Sequence, residues 1–294
     1  MANVTETTGA NFMPEHWAGE ISDAVQAHIG LSDLVDRSFE ADATSGDIVR
    51  IQDMTNPSVR YKTAGSAGSY DSTQETQDVL TIGTHAYVAF LVENFLEVQS
   101  KYSIRKKMTA KMVYSLMADV EGDLTSGLAS LPNSFSNNVG TLGQDPATDD
   151  LVRAVQYLDD ADVPDGDRFY YMSPGAHAAL LKQDVFISGD YGQAGAVGTG
   201  RIKGMVYGAT PHVSTLASNN PSTAGQSYGW FCHKRGVALV IQQTPKVHTQ
   251  WENLEIGWGV VTDVIFGFIE HLILPKATDS TSPNDNFNVS ISSA

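Results

Sequence analysis

The chain has a single cysteine, Cys232, among its 294 residues. One thiol cannot form a disulfide within the chain, and it cannot supply a cysteine-based zinc site. The first residues, MANVTETTGANF, also lack the basic and apolar regions of a secretory signal, so we expect none and an intracellular origin. The sequence thus excludes stabilisation by intrachain disulfides or by a cysteine-ligated metal.

Basic residues are scarce as well. Eighteen lysines and arginines face 34 acidic residues, and the formal net charge is −16. Proteins that grip nucleic acid usually present a basic face, so this balance argues against DNA binding as the main activity. The only basic run, KYSIRKKMTAK, lacks the interleaved aromatic residues of a single-strand binder. We interpret it as an ion-pairing face of a helix.

A long uninterrupted hydrophobic run is absent too. The most apolar stretch, residues 254–275, is interrupted by Glu255, Asp263, Glu270 and His271. Charged groups at membrane depth are costly, so the stretch predicts buried strands and no membrane span.

Glycine is abundant in one place, the segment GDYGQAGAVGTGRIKG at residues 189–204. Its end resembles a phosphate-binding loop, but such loops need a buried strand before them and a helix after them. Here the preceding residues are polar and small, and the following MVYGATPHVSTL predicts a strand. A flexible surface loop explains the glycines better than a nucleotide site does.

No other motif supports a catalytic or metal site. DDADVPDGD, residues 159–167, departs from a calcium loop because Pro164 and Asp165 shift its register, and it predicts a helix-to-strand turn. Cys232 and His233 are adjacent in a predicted strand, so their side chains point to opposite faces. His248 and Glu252 stand four residues apart without a third ligand. We therefore predict no enzymatic activity, no catalytic residue, no cofactor and no metal ligand.

The hydrophobic periodicity alternates between helix and strand. A helical stripe ends near Gly30, and residues 46–92 have period two, which predicts a long hairpin arm with a polar tip. An isolated two-stranded ribbon is marginally stable in water, so the arm should lean on something else. A helix is predicted from Glu93 to Leu131, with an apolar face opposite Lys107 and Lys111.

The second half of the chain has shorter elements. A helix is predicted after residue 147, capped by Thr148 or Asp149, and a strand then leads into a helix capped by Ser173 with Pro174 in its first turn. This alternation predicts an α/β-like unit over residues 146–245. The last residues, KATDSTSPNDNFNVSISSA, read as a polar tail.

Six motifs, taken in order, resemble the major capsid protein of tailed double-stranded-DNA bacteriophages. They are FMPEHWAGEI, GDIVRIQDM, AFLVENFLEVQSKY, FYYMSPGAHAALL, GTGRIKGMVYG and WGVVTDVIFGFIEHLIL. The resemblance covers nearly the whole chain, and bacterial encapsulins and the floor of the herpesvirus capsid share the fold.

The resemblance implies an α+β capsid fold made of an arm, an extended β-hairpin called the E-loop, a peripheral domain with a long spine helix, and an α/β axial domain. The implied ranges are 1–45 for the N-terminal arm, 46–92 for the E-loop, 93–145 and 246–278 for the peripheral domain, 146–245 for the axial domain and 279–294 for the polar C-terminal tail.

The resemblance also implies self-assembly, as hexamers and pentamers, into an icosahedral shell that encloses packaged double-stranded DNA. It implies a virion location, assembly in the bacterial host cytoplasm, a portal protein and, in some relatives, a decoration protein. Because FMPE begins at residue 12, we expect a separate scaffolding protein. The alternatives are an encapsulin-type compartment and, from another class, a nucleotide-binding enzyme.

Contacts between subunits are the only site predicted. The resemblance places an N-terminal arm, an E-loop and axial loops at such contacts, and some relatives cross-link an E-loop lysine to a neighbour's asparagine. Lys62 is the only lysine of this arm, but no partner asparagine can be matched, so cross-linking is not expected. The candidate contact residues are Phe12, Pro14, Trp17, Arg60, Lys62, Lys107, Lys111, Gly192, Gly195, Gly198 and Gly200.

Overall fold

The structure, a computed structural model, has mixed helices and strands, as the α+β prediction requires. None of the helices that it describes is long and apolar enough to cross a membrane. The described residues are 30–54, 59–70, 75–95, 104–130, 138–141, 143–187, 200–202, 204–218, 227–270 and 288–293.

Five α-helices and ten strands can be described, together with three short 3₁₀ turns. The helices are α1 (Leu31–Leu34), α2 (Ile104–Ser130), α3 (Thr148–Asp160), α4 (Pro174–Leu180) and α5 (Asp184–Ile187). The strands are β1 (Ile48–Met54), β2 (Glu75–Thr81), β3 (Thr84–Glu93), β4 (Asn138–Val139), β5 (Arg168–Met172), β6 (Thr210–Val213), β7 (Ser227–His233), β8 (Val237–Glu252), β9 (Gly257–Glu270) and β10 (Asn288–Ser293).

The long helix α2 packs on a three-stranded antiparallel sheet with the order β3–β9–β8. At the contact, the hydroxyl of Thr262 on β9 donates to the sulfur of Met112 on α2. Twenty-seven residues of helix span about 40 Å. The helix predicted from about Glu93 agrees with the helical backbone at Asn94 and Phe95, directly after Glu93 ends β3 by pairing with Gly257, and residues 96–103 lie outside the described residues. The buried apolar stripe of α2 is Met112, Leu116, Val120 and Leu124.

The hairpin arm is shorter than residues 46–92. Strands β1 and β2 pair with each other in a two-stranded sheet, whereas β3 pairs with β9 in the three-stranded sheet. The predicted lack of a core holds only for the tip, since Val49 and Leu80 at the base are buried against Val240 of β8. The hydrophobic pattern does not reveal that β2 and β3 belong to different sheets, because they are separated by only two residues and share the same period.

The C-terminal segment corrects a second prediction. Residues 288–293 are not a polar tail: β10 lies inside a five-stranded mixed sheet with the order β4–β10–β7–β5–β6. It pairs antiparallel with β7 and parallel with β4, and Val289 and Ile291 are fully buried. The α/β unit thus extends beyond residues 146–245 in both directions, to β4 before this range and to β10 after it. It excludes β8, which belongs to the three-stranded sheet.

Both faces of the five-stranded sheet are covered by other elements. Adjacent residues of β5 show this, because successive side chains of a strand point to opposite faces. On one face Tyr171 of β5 packs in the core that includes the α2 residues Leu116 and Val120. On the other face Tyr170 packs in the core with residues of α3 and α4. At Gly229 on β7, an added Cβ would lie 2.8 Å from the Tyr170 ring, so this position requires glycine.

The cap of α4 is as predicted and that of α3 is not. The Ser173 hydroxyl accepts a hydrogen bond from the Ala176 amide, and Pro174 begins α4. Helix α3 has Ala147 as its N-cap, whose amide donates to the Asp150 carboxylate at 2.9 Å. The acidic first turn of α3 thus stabilises the helix start in place of a Thr148 or Asp149 cap.

Candidate functional site

Cys232 and His233, two of the residues considered for catalysis, are buried in the fold. The Cys232 thiol is buried in the core, and burial raises its pKa, so it is not a ready nucleophile. The neighbouring His233 accepts a hydrogen bond from the Arg235 amide through Nδ1. Among the described residues, no group of three or more histidine, cysteine or acidic side chains is arranged to hold a metal ion.

The DDADVPDGD segment forms a turn between α3 and β5, as predicted, and its centre is the buried Arg168. The guanidinium donates to the backbone carbonyls of Val163 and Pro164 and pairs with the carboxylates of Asp159 and Asp165. Two of the five aspartates of this segment, Asp159 and Asp165, thus neutralise an arginine.

The end of the glycine segment is fixed to the body. The Ile202 amide donates to Nε2 of His177, and the Ile202 side chain is buried. Burial, assisted by the charge of Arg201, lowers the pKa of His177, which keeps its ring neutral and able to accept this bond. Gly200 is exposed with a φ of +65°, a conformation that glycine adopts readily. No helix follows here, since residues 206–209 form a tight turn that leads into β6.

The hairpin tip, residues 59–70, exposes large apolar side chains. Val59 is 82% exposed, and Tyr61 and Tyr70 are essentially fully exposed. Arg60 donates to the Ser69 hydroxyl across the tip at 2.9 Å, and Lys62 is exposed beside it. Exposed aromatic groups on a projecting ribbon are typical of a contact surface.

Glu121 of α2 is a functional candidate that sequence analysis missed. It is fully buried, and one carboxylate oxygen accepts from the amides of Gly30, at 2.7 Å, and Leu31, at 3.2 Å. The other oxygen accepts from the Tyr171 hydroxyl at 2.5 Å. Burial and this bond raise the pKa of Tyr171, which therefore stays a donor. One carboxylate thus ties α2 to β5 and to the segment that follows residue 29. A signal was present, since Glu121 lies between Val120 and Leu124 on the apolar stripe.

A second missed cluster lies on the three-stranded sheet, on the face away from α2. Asp263 of β9 accepts from His85 Nε2 at 3.0 Å and from Gln243 Nε2 at 2.8 Å, both at Oδ2. His248 Nε2 lies 3.4 Å from Oδ1. The hydrogen bond from His85 is the main reason why the pKa of Asp263 lies below its ordinary value. The sequence signal was a carboxylate in the middle of an apolar strand.

The predicted contact residues do not form one site. Arg60 and Lys62 are exposed in the hairpin tip, and Lys107 and Lys111 are half-buried one turn apart on α2. Gly200 lies near the end of the glycine segment, in another part of the fold. The remaining candidates lie outside the described residues: Phe12, Pro14, Trp17, Gly192, Gly195 and Gly198.

Solved structures of phage proteins share this fold. A chain of Mycobacterium phage Che8 has a TM-score of 0.77 and 21% identity, and the match covers 96% of this chain and 97% of that chain. A chain of the capsid of cyanophage P-SCSP1u has a TM-score of 0.76 and 17% identity, over 100% and 97% of the two chains. A chain of the mature capsid of bacteriophage PhiM1 has a TM-score of 0.68 and 13% identity, over 95% and 92%.

The sequence itself matches a protein family. No curated protein matches the chain. The family model described as phage capsid protein matches residues 40–267, which is most of the sequence and includes strands β1 to β8 and most of β9. The resemblance found in the sequence motifs is thereby confirmed: this chain belongs to the phage capsid protein family and has the fold of a tailed-phage major capsid protein.

Proposed function

We propose that the chain assembles with copies of itself, as hexamers and pentamers, into an icosahedral shell around packaged double-stranded DNA. The observation that carries this proposal is the hairpin of β1 and β2, whose base is buried in the body and whose tip exposes Val59, Tyr61 and Tyr70. When a neighbouring subunit covers these side chains, apolar surface is removed from water and the contact is stabilised. Assembly takes place in the cytoplasm of the bacterial host.

The same hairpin suggests how the chain is divided. We propose that β1, β2 and the tip form the E-loop, and that residues 1–45 form the N-terminal arm. Strands β3, β8 and β9 with α2 form the peripheral domain. The five-stranded sheet with α3 and α4 forms the axial domain, which receives β10 from the C-terminal segment.

The glycine segment belongs to the axial domain in this division. Side chains of little bulk allow a loop to crowd against its symmetry mates around a narrow axis, or to differ between hexamers and pentamers. Identical loops in every position of an assembled shell, far from any symmetry axis, would contradict this assignment.

Charge supports a passive relation to DNA. With a formal net charge of −16, the subunit repels the duplex, which can then slide and leave without adhering. The role is structural and not enzymatic, and the DNA is enclosed without recognition of its sequence. A strongly positive inner surface in the assembled shell would contradict this part of the proposal.

Other proteins complete the shell in this proposal. A separate scaffolding protein sets its size, a portal protein occupies one vertex, and a decoration protein is an optional outer partner. Purified subunits that assemble alone into shells of one correct size would contradict the need for a scaffold.

Electron microscopy of the expressed chain tests the main proposal, with uniform polyhedral shells as the expected result. Replacing Tyr61 and Tyr70 together by serine should abolish or strongly reduce the shells, whereas replacing both by phenylalanine, which keeps the rings, should preserve them. If the serine variant assembles like the unaltered chain, the tip is not a subunit contact. Particles from infected cells that contain a protein cargo instead of DNA would favour the encapsulin alternative.

A further inference from the structure

Three strands meet at the side chain of Asp263. His85 reaches it from β3, and Gln243 and His248 reach it from β8, while Asp263 itself lies on the central strand β9. The Asp263 side chain is only 16% exposed, but the two histidine side chains are more than half exposed. A partly buried carboxylate is therefore in contact with two rings that solvent protons can reach.

The two carboxylate oxygens differ in their partners. Oδ2 accepts two hydrogen bonds, from His85 and Gln243. Oδ1 is buried and has no hydrogen-bond partner, although His248 Nε2 is only 3.4 Å away. A buried acceptor without a donor is unfavourable, and a donor that moves a few tenths of an ångström closer would remove this cost.

We propose that His85, Asp263 and His248 form a proton-operated clamp, in which protonated imidazoles on β3 and β8 hold both outer strands to β9. When His248 carries a proton on each ring nitrogen, its Nε2–H donates to Oδ1 and the contact becomes a charge-assisted hydrogen bond. The same proton gain at His85 strengthens the bond to Oδ2. The three-stranded sheet is then more resistant to opening in mildly acidic solution than at alkaline pH.

The surroundings allow this response. Tyr87 of β3 and Lys246 of β8 are the register partners of Asp263 on the two neighbouring strands. Within the part of the chain that the structure describes, the side chains that act on the pKa of Asp263 are His85, Gln243 and His248. Met112 of α2 contacts Thr262 on the opposite face, and the end of β2 approaches Gly267 four residues further along.

The direction of the effect follows from the two kinds of group. Each imidazole adds a charge-assisted hydrogen bond only in its protonated form, so proton gain strengthens the clamp. Asp263 has a lowered pKa, so its contribution to stability is present above the ordinary aspartate range and is lost as pH falls through its folded value. The clamp is therefore strongest where the imidazoles are protonated and Asp263 is still ionised, in mildly acidic solution.

Hydrogen exchange of the full-length chain, measured near pH 8 and near pH 6 and corrected for intrinsic rates, tests the proposal. We expect the amides of β8 around residues 246–250 to exchange roughly two- to fivefold more slowly at the lower pH, the range of a partly exposed ion pair. D263N should abolish the difference, and H248Q should remove most of it. K246Q removes the charge of the register partner on β8 but leaves Asp263 and both histidines in place, so it should preserve the difference.

Two outcomes would overturn the clamp. One is an unaltered chain without a pH difference at β8, and the other is a D263N variant that keeps the difference. Sedimentation at both pH values records whether the assembly state changes, so that protection by neighbouring subunits is recognised separately. A further experiment adds zinc near pH 8. If the β8 amides exchange more slowly only with zinc, and a chelator reverses this, the cluster is a metal site and not a proton clamp.

Discussion

The hairpin tip, residues 59–70, and the C-terminal strand β10 are both short segments that contain several serines, yet their surroundings are opposite. In the tip, every residue is exposed, including two tyrosines. In β10, Val289, Ser290 and Ile291 are all fully buried. The tip carries the larger apolar side chains of the two, so composition does not account for the difference.

The difference lies in the partners that each segment meets within the subunit. Strand β10 has a strand on each side and a helix-covered core, so its two apolar side chains fill space that would otherwise be empty. The tip extends beyond the part of the hairpin that packs on β8. Burial of β10 stabilises the subunit, whereas the apolar area of the tip remains for a contact with another molecule.

Among substitutions that test the difference between β10 and the tip, we expect the largest loss of stability at Ile291. Replacing Ile291 by alanine leaves a cavity in the core and should lower the free energy of unfolding by about 2–5 kcal/mol. The matched change at the tip, Val59 to alanine, should cost less than about 0.5 kcal/mol. Urea denaturation measures both, and equal losses for the two variants would break the comparison.

Glu121 is a buried polar residue, in contrast to the buried apolar Ile291. Its replacement by alanine should lower the free energy of unfolding by about 3 kcal/mol. The Tyr171 hydroxyl and the amides of Gly30 and Leu31 lose their acceptor in this variant. E121Q should cost less, because its amide oxygen can accept from the two amides and its NH₂ group can donate to the phenol oxygen. A glutamine variant as unstable as the alanine variant would show that this bonding is not the source of the stability.

Gly229 tests how tightly the sheet that contains β10 is packed. A methyl group there meets the Tyr170 ring, so Gly229 to alanine should destabilise the subunit by about 1–3 kcal/mol. Gly122 on α2 is the control, since an added Cβ has no neighbour within 4 Å, and alanine there should stabilise the helix by up to about 1 kcal/mol. Thermal unfolding distinguishes the two variants, and shifts of the same sign would contradict this account.

We expect the smallest effect on the free energy of unfolding at Tyr61 and Tyr70, the two residues whose replacement should affect assembly most. The double serine variant at Tyr61 and Tyr70 should change the unfolding free energy of the unassembled subunit by less than about 0.5 kcal/mol, since neither ring is buried. Urea denaturation of that subunit provides the measurement. A loss of several kcal/mol would mean that the tip packs within its own subunit and would remove the contrast with β10.

Local signals in the sequence were sufficient for elements that are stabilised by near neighbours. The Ser173 cap, the proline that begins α4 and the turn between α3 and β5 all depend on residues close in sequence, and all three were predicted. The family resemblance added the fold class, which the family match confirms. Long-range pairing left no comparable signal, so β10 was missed and β3 was assigned to the wrong sheet.

The contacts that depend on distant residues were equally hard to predict. Glu121 meets Gly30 across 91 residues, and Asp263 meets His85 across 178. A sequence pattern can mark a charged residue on an apolar face, as it does at both positions, but it does not identify the partner. The subunit contacts predicted at Arg60 and Lys62 stay predictions, because they concern a neighbouring molecule.

The position of β10 also has a consequence for the order of synthesis. The ribosome makes β10 after every other strand of its sheet, although it lies between β4 and β7. Until residues 288–293 emerge, β7 keeps an open edge and the sheet is incomplete. A nascent chain thus cannot complete this sheet until its last residues have been made.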